Sequence, residues 1–371
     1  MTTVMTDCYL SHNLGDDLFL TTLVSRYPHV QFVVSADRSY DFLREMFSNI
    51  NLLVQTNHHS SLVSKSYWYF IKKYRHYRAI RSADVLVTIG GSLYWEQQGN
   101  KSLKARIDEA RRLHGDRRKA REAKHHIVIG ANFGPWYSDD FLNYYRDYFA
   151  YNCDDVCFRD RYSANLFSDV PTVHMAPDVR LGVQLPQGPK WHKVFFSVID
   201  PHHPKYCMSS TQADAYDWMM VALMQRYAAR GYELVLCSFC QAEGDERTME
   251  RLSSIMQEQG MNARLLRYRN DMCEVLEELA SSEVVVGSRF HATILGLSAG
   301  AAVLPVMYSD KTTHVLEDIG FEMGHTIDLR TDGWKDKPAE MLPEAICFDV
   351  TAQQAGAVEQ FAVLDHLVGG R

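Results

Sequence analysis

The sequence predicts an α/β protein of two doubly wound, Rossmann-like domains facing a cleft. Three observations predict it. Short β-branched runs that stop at Gly, Ser or Asn alternate with longer stretches of helical spacing, and such alternation implies parallel strands joined by right-handed crossovers. The rhythm occurs twice, on either side of Leu185–Lys190, whose Pro and Gly content reads as a linker. The length of 371 residues also exceeds what one core holds, about 250–300 residues. The expected domains are 1–185 and 186–371.

In the first half, Gln31–Val34, Val85–Ile89 and Ile127–Ile129 read as strands, with helical spacing over Asp41–Asn49 and Lys101–Lys124. In the second half, Val194–Val198, Glu233–Cys237, Val284–Val286 and Ala302–Val306 read as strands. Helical stretches fall at Gln212–Arg230, at Asp245–Gln259 and after Gly287. Because ligands of open α/β sheets sit beyond the carboxyl ends of the strands, residues just after each apolar run are the candidates for function.

Composition narrows the classes. With 46% hydrophobic and 23% charged residues the chain is globular, and no apolar run approaches the roughly 18 residues of a membrane span. The start, Met1–Asp7, lacks the pattern of a secretory signal, and eight irregularly spaced Cys read as reduced thiols, so a cytoplasmic protein is expected. The net charge of −7 argues against nucleic acid as the partner. Its distribution is uneven: residues 1–185 carry 23 Lys and Arg against 20 Asp and Glu, whereas 186–371 carry 16 against 26. The cations concentrate in Lys65–Arg81, interleaved with Tyr and Trp, and in Lys101–Lys124. Such stretches suit a polyanionic acceptor or the anionic inner face of a membrane, beside the plain reading of a solvated helix face.

Five motifs follow strand ends or open helices. Ser11–Asp17 is a Gly-containing turn before the helical stretch Leu18–Arg26, where Asn13 and Asp16 can cap the helix and its N–H groups can meet an anion. Gly90 and Gly91, in Thr88–Leu93, permit a close backbone approach, and Gly130–Trp136 has the same character. Arg159 stands at a strand end, where it can grip a carboxylate or phosphate, or pair with Asp160 or another acid. The strongest is Val284–Gly300: a buried strand stops at Gly287, and Ser288, Arg289, Phe290 and His291 surround the start of a small-residue helix. A helix N-terminus attracts anions, and packing does not call for an Arg and a His there, so this reads as a phosphate site. Cys237 and Cys240 form a CxxC at a strand end, short of partners for zinc and not opening a helix as a redox pair would. The GxGxxG, Walker and HExxH patterns are absent.

In this order and spacing the motifs resemble those of the polysaccharide pyruvyl transferase family. The matching residues are the Asn13–Asp17 turn, Ile89–Ser92, Phe158–Ser163, Ala176–Asp178, Val286–Ala292, Pro305–Tyr308 and Lys311. Gly130–Gly134 departs from the more Gly-rich turn of many members. The resemblance implies a GT-B-like pair of Rossmann-type domains. It implies transfer of pyruvate from phosphoenolpyruvate to two hydroxyls of a sugar, giving a cyclic ketal and phosphate. No acidic cluster with a magnesium-site pattern is evident in the sequence, so neither metal nor cofactor is expected. On this reading Arg289 and His291 meet the phosphate, with Ser288 and Phe290 beside them, and Arg159 and Lys311 supply further anion contacts. His291 or Asp16 moves protons, and Asn13, Gly90 and Gly91 line the substrate. The basic half is expected to hold an acceptor sugar linked to a nucleotide or lipid diphosphate. Two other classes share the domain plan: a nucleotide-sugar glycosyltransferase, and a binding protein for glycan or phosphate without turnover.

Overall fold

A computed structural model describes residues 1–54, 62–97, 99, 103–206, 208–335 and 337–369, with the side chains of 62–69 left out. The chain forms two compact units. The first comprises Met1–Leu10, Phe19–Val179 and Val358–Arg371; the second comprises Ser11–Leu18 and Arg180–Ala357. Relative to a single boundary at 185/186, Ser11–Leu18 therefore groups with the second unit and the C-terminal segment with the first.

In the first unit the strands are β1 (Thr3–Cys8), β2 (Gln31–Ala36), β3 (Ile50–Val54), β4 (Val85–Ile89), β5 (Ser92–Tyr94), β6 (His126–Phe133), β7 (Asp155–Phe158) and β8 (Val173–Met175). They pair in parallel in the order β3-β2-β1-β4-β6-β7-β8, with β5 beside β6. Helices cover both faces, so β4 is buried at every position and reads as an unbroken apolar run rather than an alternating one. One face packs Phe19, Leu23, Phe32 and Ile129 with Phe361 and Leu364 from the C-terminal segment. That segment is tied in by polar contacts too. Asp365 accepts hydrogen bonds from Arg26 at 2.6 Å and Tyr27 at 2.7 Å, and Gln360 accepts one from the Gly130 N–H at 2.9 Å.

In the second unit the strands are β9 (Trp191–Ser197), β10 (Glu233–Ser238), β11 (Arg264–Arg267), β12 (Ser282–Gly287), β13 (Ala302–Met307), β14 (Ile327–Asp328) and β15 (Ile346–Cys347). The order is β11-β10-β9-β12-β13-β14, all parallel, and β15 adds antiparallel to β13. Val194, Phe196, Leu236, Val284 and Val286 form one core with Tyr216, Met220 and Met224 of the helix Ser210–Ala229. Strand order reverses between β9 and β12, where Ser197 lies opposite Gly287. In such sheets this reversal is where connecting loops part and ligands bind.

The structure differs from the sequence expectation in places with clear causes. The helix expected from Leu18 begins at Leu14, so Asp16 and Asp17 occupy its first turn rather than a preceding loop. The helical stretch expected over Asp41–Asn49 is reduced to Phe42–Met46, because Asn49 donates its side-chain amide to the carbonyls of Tyr27 and Val30, both at 3.1 Å. The chain then turns directly into β3. Within the Phe158–Ser163 motif a short helix begins at Arg161, capped by Asp160, which accepts from the Ser163 N–H at 2.8 Å.

Candidate active site

The candidate residues separate into two groups. Asn13, Asp16, Ser288, Arg289, Phe290, His291 and Lys311 lie in the second unit; Gly90, Gly91 and Arg159 lie in the first.

In the second unit the site grows from the β9/β12 reversal. The backbone N–H of Ser288 donates to the Ser197 carbonyl, and that of Arg289 to the Ser197 hydroxyl, both at 3.1 Å. Tyr216 meets the Ser288 hydroxyl at 2.9 Å, so Ser288 is committed to the core side of the turn. These contacts fix the entry of the helix Phe290–Ser298, whose cap residue Arg289 makes no side-chain cap hydrogen bond. The positive end of this helix carries His291 in its first turn.

Arg289 is placed where the sequence suggested, but its guanidinium is engaged within the protein. It is buried and forks onto Asp245 and Glu243, with Nε 3.1 Å from Asp245. Asp245 also accepts the N–H groups of Phe239 at 3.0 Å and Cys240 at 2.9 Å. Glu243 accepts from Lys205 at 2.5 Å and Tyr206 at 3.2 Å. Burial would raise the Glu243 carboxyl, yet Arg289 and Lys205 hold it down at about 2. Arg289 thus organises acids and loops around the helix start.

The other wall is the start of the helix Leu14–Arg26. Asn13 is buried and accepts from the Gly15 N–H at 3.0 Å, which makes it the cap of that helix. Leu14 donates to the Phe239 carbonyl at 3.1 Å, and Tyr268 donates to Asp17 at 2.8 Å, anchoring this turn to the second unit. Gly15 then faces His291: a Cβ built there would lie 1.8 Å from His291 Nδ1. Asp16 is the part-buried acid of this wall. Burial raises its pKa, against the opposing pull of Arg180, Lys205 and Lys311.

Arg180, Lys205 and Tyr308 were not singled out from the sequence as site residues. Arg180 is fully buried, 3.4 Å from the Gly15 carbonyl, with its guanidinium 5.4 Å from the Phe290 ring centre. Phe290 itself is buried and serves as the floor under Arg180. Tyr308 follows β13 and lies between cations, Lys311 being 5.4 Å from its ring centre. Burial would raise the phenol, but Lys311, Lys205 and Arg289 bring its pKa below the ordinary tyrosine value. Arg180 follows the Ala176–Asp178 motif by two residues, a signal that could have been read; Lys205 lies in a loop with no motif around it.

In the first unit Arg159 is held from both sides. Its guanidinium donates to Asp178 at 3.2 Å and to Asn132 at 2.6 Å, with its side chain 1% exposed. A Cβ on Gly91 would come within 2.7 Å of it, so the glycine pair is needed to let the β4 turn pass over the guanidinium. Arg159 thus pairs with an acid, Asp178, within the first unit. Gly90 takes φ 155° beside it. Cys237 and Cys240 are buried, and burial pushes both thiols up, Cys240 to about 11, opposite to what a reactive dithiol requires.

The sequence model of the polysaccharide pyruvyl transferases matches residues 13–310. A comparison with curated proteins finds no match. Among solved structures, Anabaena HepE in complex with UDP-glucose is 10% identical, with 100% of this chain and 99% of that chain covered and a TM-score of 0.53. A Listeria monocytogenes protein described as a UDP-N-acetylglucosamine 2-epimerase is 12% identical, with 99% and 97% covered and a TM-score of 0.57. At these identities the likeness shows the fold, an α/β chain with two parallel sheets of the GT-B-like class.

Proposed function

From the premise that this chain belongs to the polysaccharide pyruvyl transferase family, we propose that it transfers pyruvate from phosphoenolpyruvate to two hydroxyls of a sugar, releasing phosphate. The observation that carries the reading is the convergence of Arg180, Lys205 and Lys311 on Asp16, beside His291 at the start of the helix Phe290–Ser298. Phosphoenolpyruvate brings a phosphate and a carboxylate, which call for cations at a helix N-terminus. Its enol carbon also needs a proton donor, and burial shifts the Asp16 carboxyl toward its protonated form.

Asp16 delivers its proton to the methylene carbon, and the first sugar hydroxyl adds to C2. The hydroxyl proton returns to Asp16, restoring the acid. The bond from C2 to the phosphate oxygen then breaks, and phosphate leaves with the electron pair toward Lys205 and Lys311. The second hydroxyl closes on C2 while its proton passes through His291 to the departing phosphate. The sum is phosphoenolpyruvate plus a diol giving a pyruvate ketal plus phosphate. Charge stabilisation of the leaving group falls to the lysines and the helix dipole. Arg289 is a positioning residue that holds Glu243 and Asp245 and, through Glu243, Lys205.

The acceptor is a sugar precursor, in keeping with the sugar nucleotide seen in the HepE complex on a shared fold. A diphosphate-linked acceptor suits the basic first half. The test is phosphate release measured with phosphoenolpyruvate and a panel of sugar acceptors, singly and together, with mass spectrometry of the acceptor. Phosphate should appear only when both are present, and the acceptor should gain one pyruvate ketal. Nucleotide release from a sugar donor, with phosphoenolpyruvate intact, would overturn the proposal in favour of glycosyl transfer. Binding without turnover of either donor would equally overturn it.

A further inference from the structure

We infer that the paired helices Leu62–Ser82 and Leu103–Glu122 of the first unit form a docking face for an anionic lipid bilayer. Over residues 70–82 and 103–122 the sequence carries thirteen Lys and Arg and four acids, in a chain whose total charge is −7. The helices are joined by Arg118, whose guanidinium lies 4.0 Å from the Tyr77 ring centre, and by Arg81, which donates to Glu122 at 2.8 Å. Both links span 41 residues, so the helices run parallel and their N-terminal halves lie toward the same end.

The apolar exposure of this pair lies toward that end. Phe70 is 70% exposed, Tyr74 64%, Leu103 76% and Ile107 41%. On the second helix Leu103, Ile107, Ala110, Arg111, His114, Arg118 and Arg121 follow helical spacing, and all are exposed. One stripe thus passes from aliphatic to cationic side chains. Of the four acids, Asp116 pairs with Lys119 at 3.3 Å, Glu122 with Arg81, and Asp108 with Arg111 at 3.4 Å. No helix among the described residues is long and apolar enough to cross a membrane, so contact would be peripheral.

Charge complementarity and exposed aliphatics together select the occupant. A soluble polyanion rewards cations alone, and leaves Leu103 and Ile107 in water. A bilayer with acidic headgroups rewards both, through buried apolar area and attraction of each Lys or Arg near the surface. Lys65–Tyr69 and Lys101, part of the basic stretches noted in the sequence, lie outside the described side chains and the inference does not use them.

The experiment is flotation of the full chain with vesicles of phosphatidylcholine alone and of phosphatidylcholine mixed with phosphatidylglycerol. Binding should require phosphatidylglycerol and weaken with salt. Arg106→Glu, Arg111→Glu and Arg121→Glu combined should weaken binding at least about 100-fold, from roughly fivefold per cation removed. Leu103→Ser with Ile107→Ser should weaken vesicle binding by about tenfold while leaving binding of inorganic polyphosphate unchanged. Far-ultraviolet circular dichroism and the melting temperature identify any variant that fails to fold, and the two variants affect different residues. Equal binding to both vesicle types, no binding to either, or indifference to Leu103→Ser with Ile107→Ser would overturn the inference. The readout is independent of turnover, so it stands or falls apart from the proposed reaction.

Discussion

His291 packs directly against the backbone of Gly15: a Cβ at position 15 would lie 1.8 Å from Nδ1 and 2.1 Å from the neighbouring ring carbons. A one-carbon change at a residue without chemistry should therefore act through the imidazole. Gly15→Ala should fold, since the helix already contains the position, and should lose about 10²- to 10⁴-fold in turnover, the usual share of a proton-transfer group. The decisive measurement is the double variant. Gly15→Ala with His291→Ala should be no slower than His291→Ala alone, because removing the ring removes the clash. A further additive loss would mean that Gly15 matters for some reason other than His291.

Asp16 is predicted to be the proton donor. Burial raises its pKa above the ordinary carboxyl value, so its protonated form persists to higher pH and is depleted as pH rises through that raised value. Asp16→Asn should lower turnover by about 10²- to 10⁴-fold and remove that limb of the pH–rate profile. Phosphoenolpyruvate affinity should be unchanged or improved, since an acid amid Arg180, Lys205 and Lys311 is lost without losing any cation. Calorimetric titration with phosphoenolpyruvate, set against turnover, separates the two effects; near-normal turnover would remove Asp16 from the chemistry.

Arg289 should behave as a structural keystone of the second unit. Arg289→Ala leaves Asp245 and Glu243 facing an emptied buried site, and breaking a buried pair in this way costs about 3–5 kcal/mol. Arg289→Lys should recover only part, because an ammonium cannot span both carboxylates as the planar fork does. Urea midpoints for the two variants test this. If both retain full stability and lose only phosphoenolpyruvate affinity, the guanidinium faces ligand rather than the acids.

How much of this was legible in the sequence follows from what each signal rests on. Strand β4 and the helix Phe290–Ser298 were readable because their apolar content is contiguous, and a Gly–Ser–Arg start after a buried strand marks a helix opening. Strand β1 was not read: Thr3, Thr6 and Asp7 interrupt its apolar run. The early start of the helix Leu14–Arg26 was hidden by Gly15, a poor helix former that is required there by His291. Ser288, Arg289 and His291 were found by proximity in sequence, whereas Glu243, Asp245 and Lys205 converge on them from separate loops, which no local pattern reveals. Burial decided the fate of Arg159: its residue type suits an anion, but only the fold shows Asp178 and Asn132 already in place.

The first unit carries its own pH sensitivity, centred on His126. This ring is buried on β6, 2.9 Å from the Thr88 hydroxyl, and burial lowers its pKa from 6.5 to about 4. Between those values the unfolded chain binds a proton that the folded unit does not, so stability rises with pH across the window. The contribution is present in full above pH 6.5, falls as pH drops toward 4, and falls no further below that. At 1.36 kcal/mol per pH unit the change amounts to about 3 kcal/mol. His174 shifts the other way, raised by its hydrogen bond to Asp155, so the raw pH profile mixes opposing terms. The difference between wild type and His126→Gln isolates the one of interest, because His174 is common to both. Urea midpoints measured from pH 8 to 4 should fall more steeply with acidification for wild type than for His126→Gln, and the curves should run parallel above pH 7. Parallel curves throughout would show that His126 is not the group that titrates.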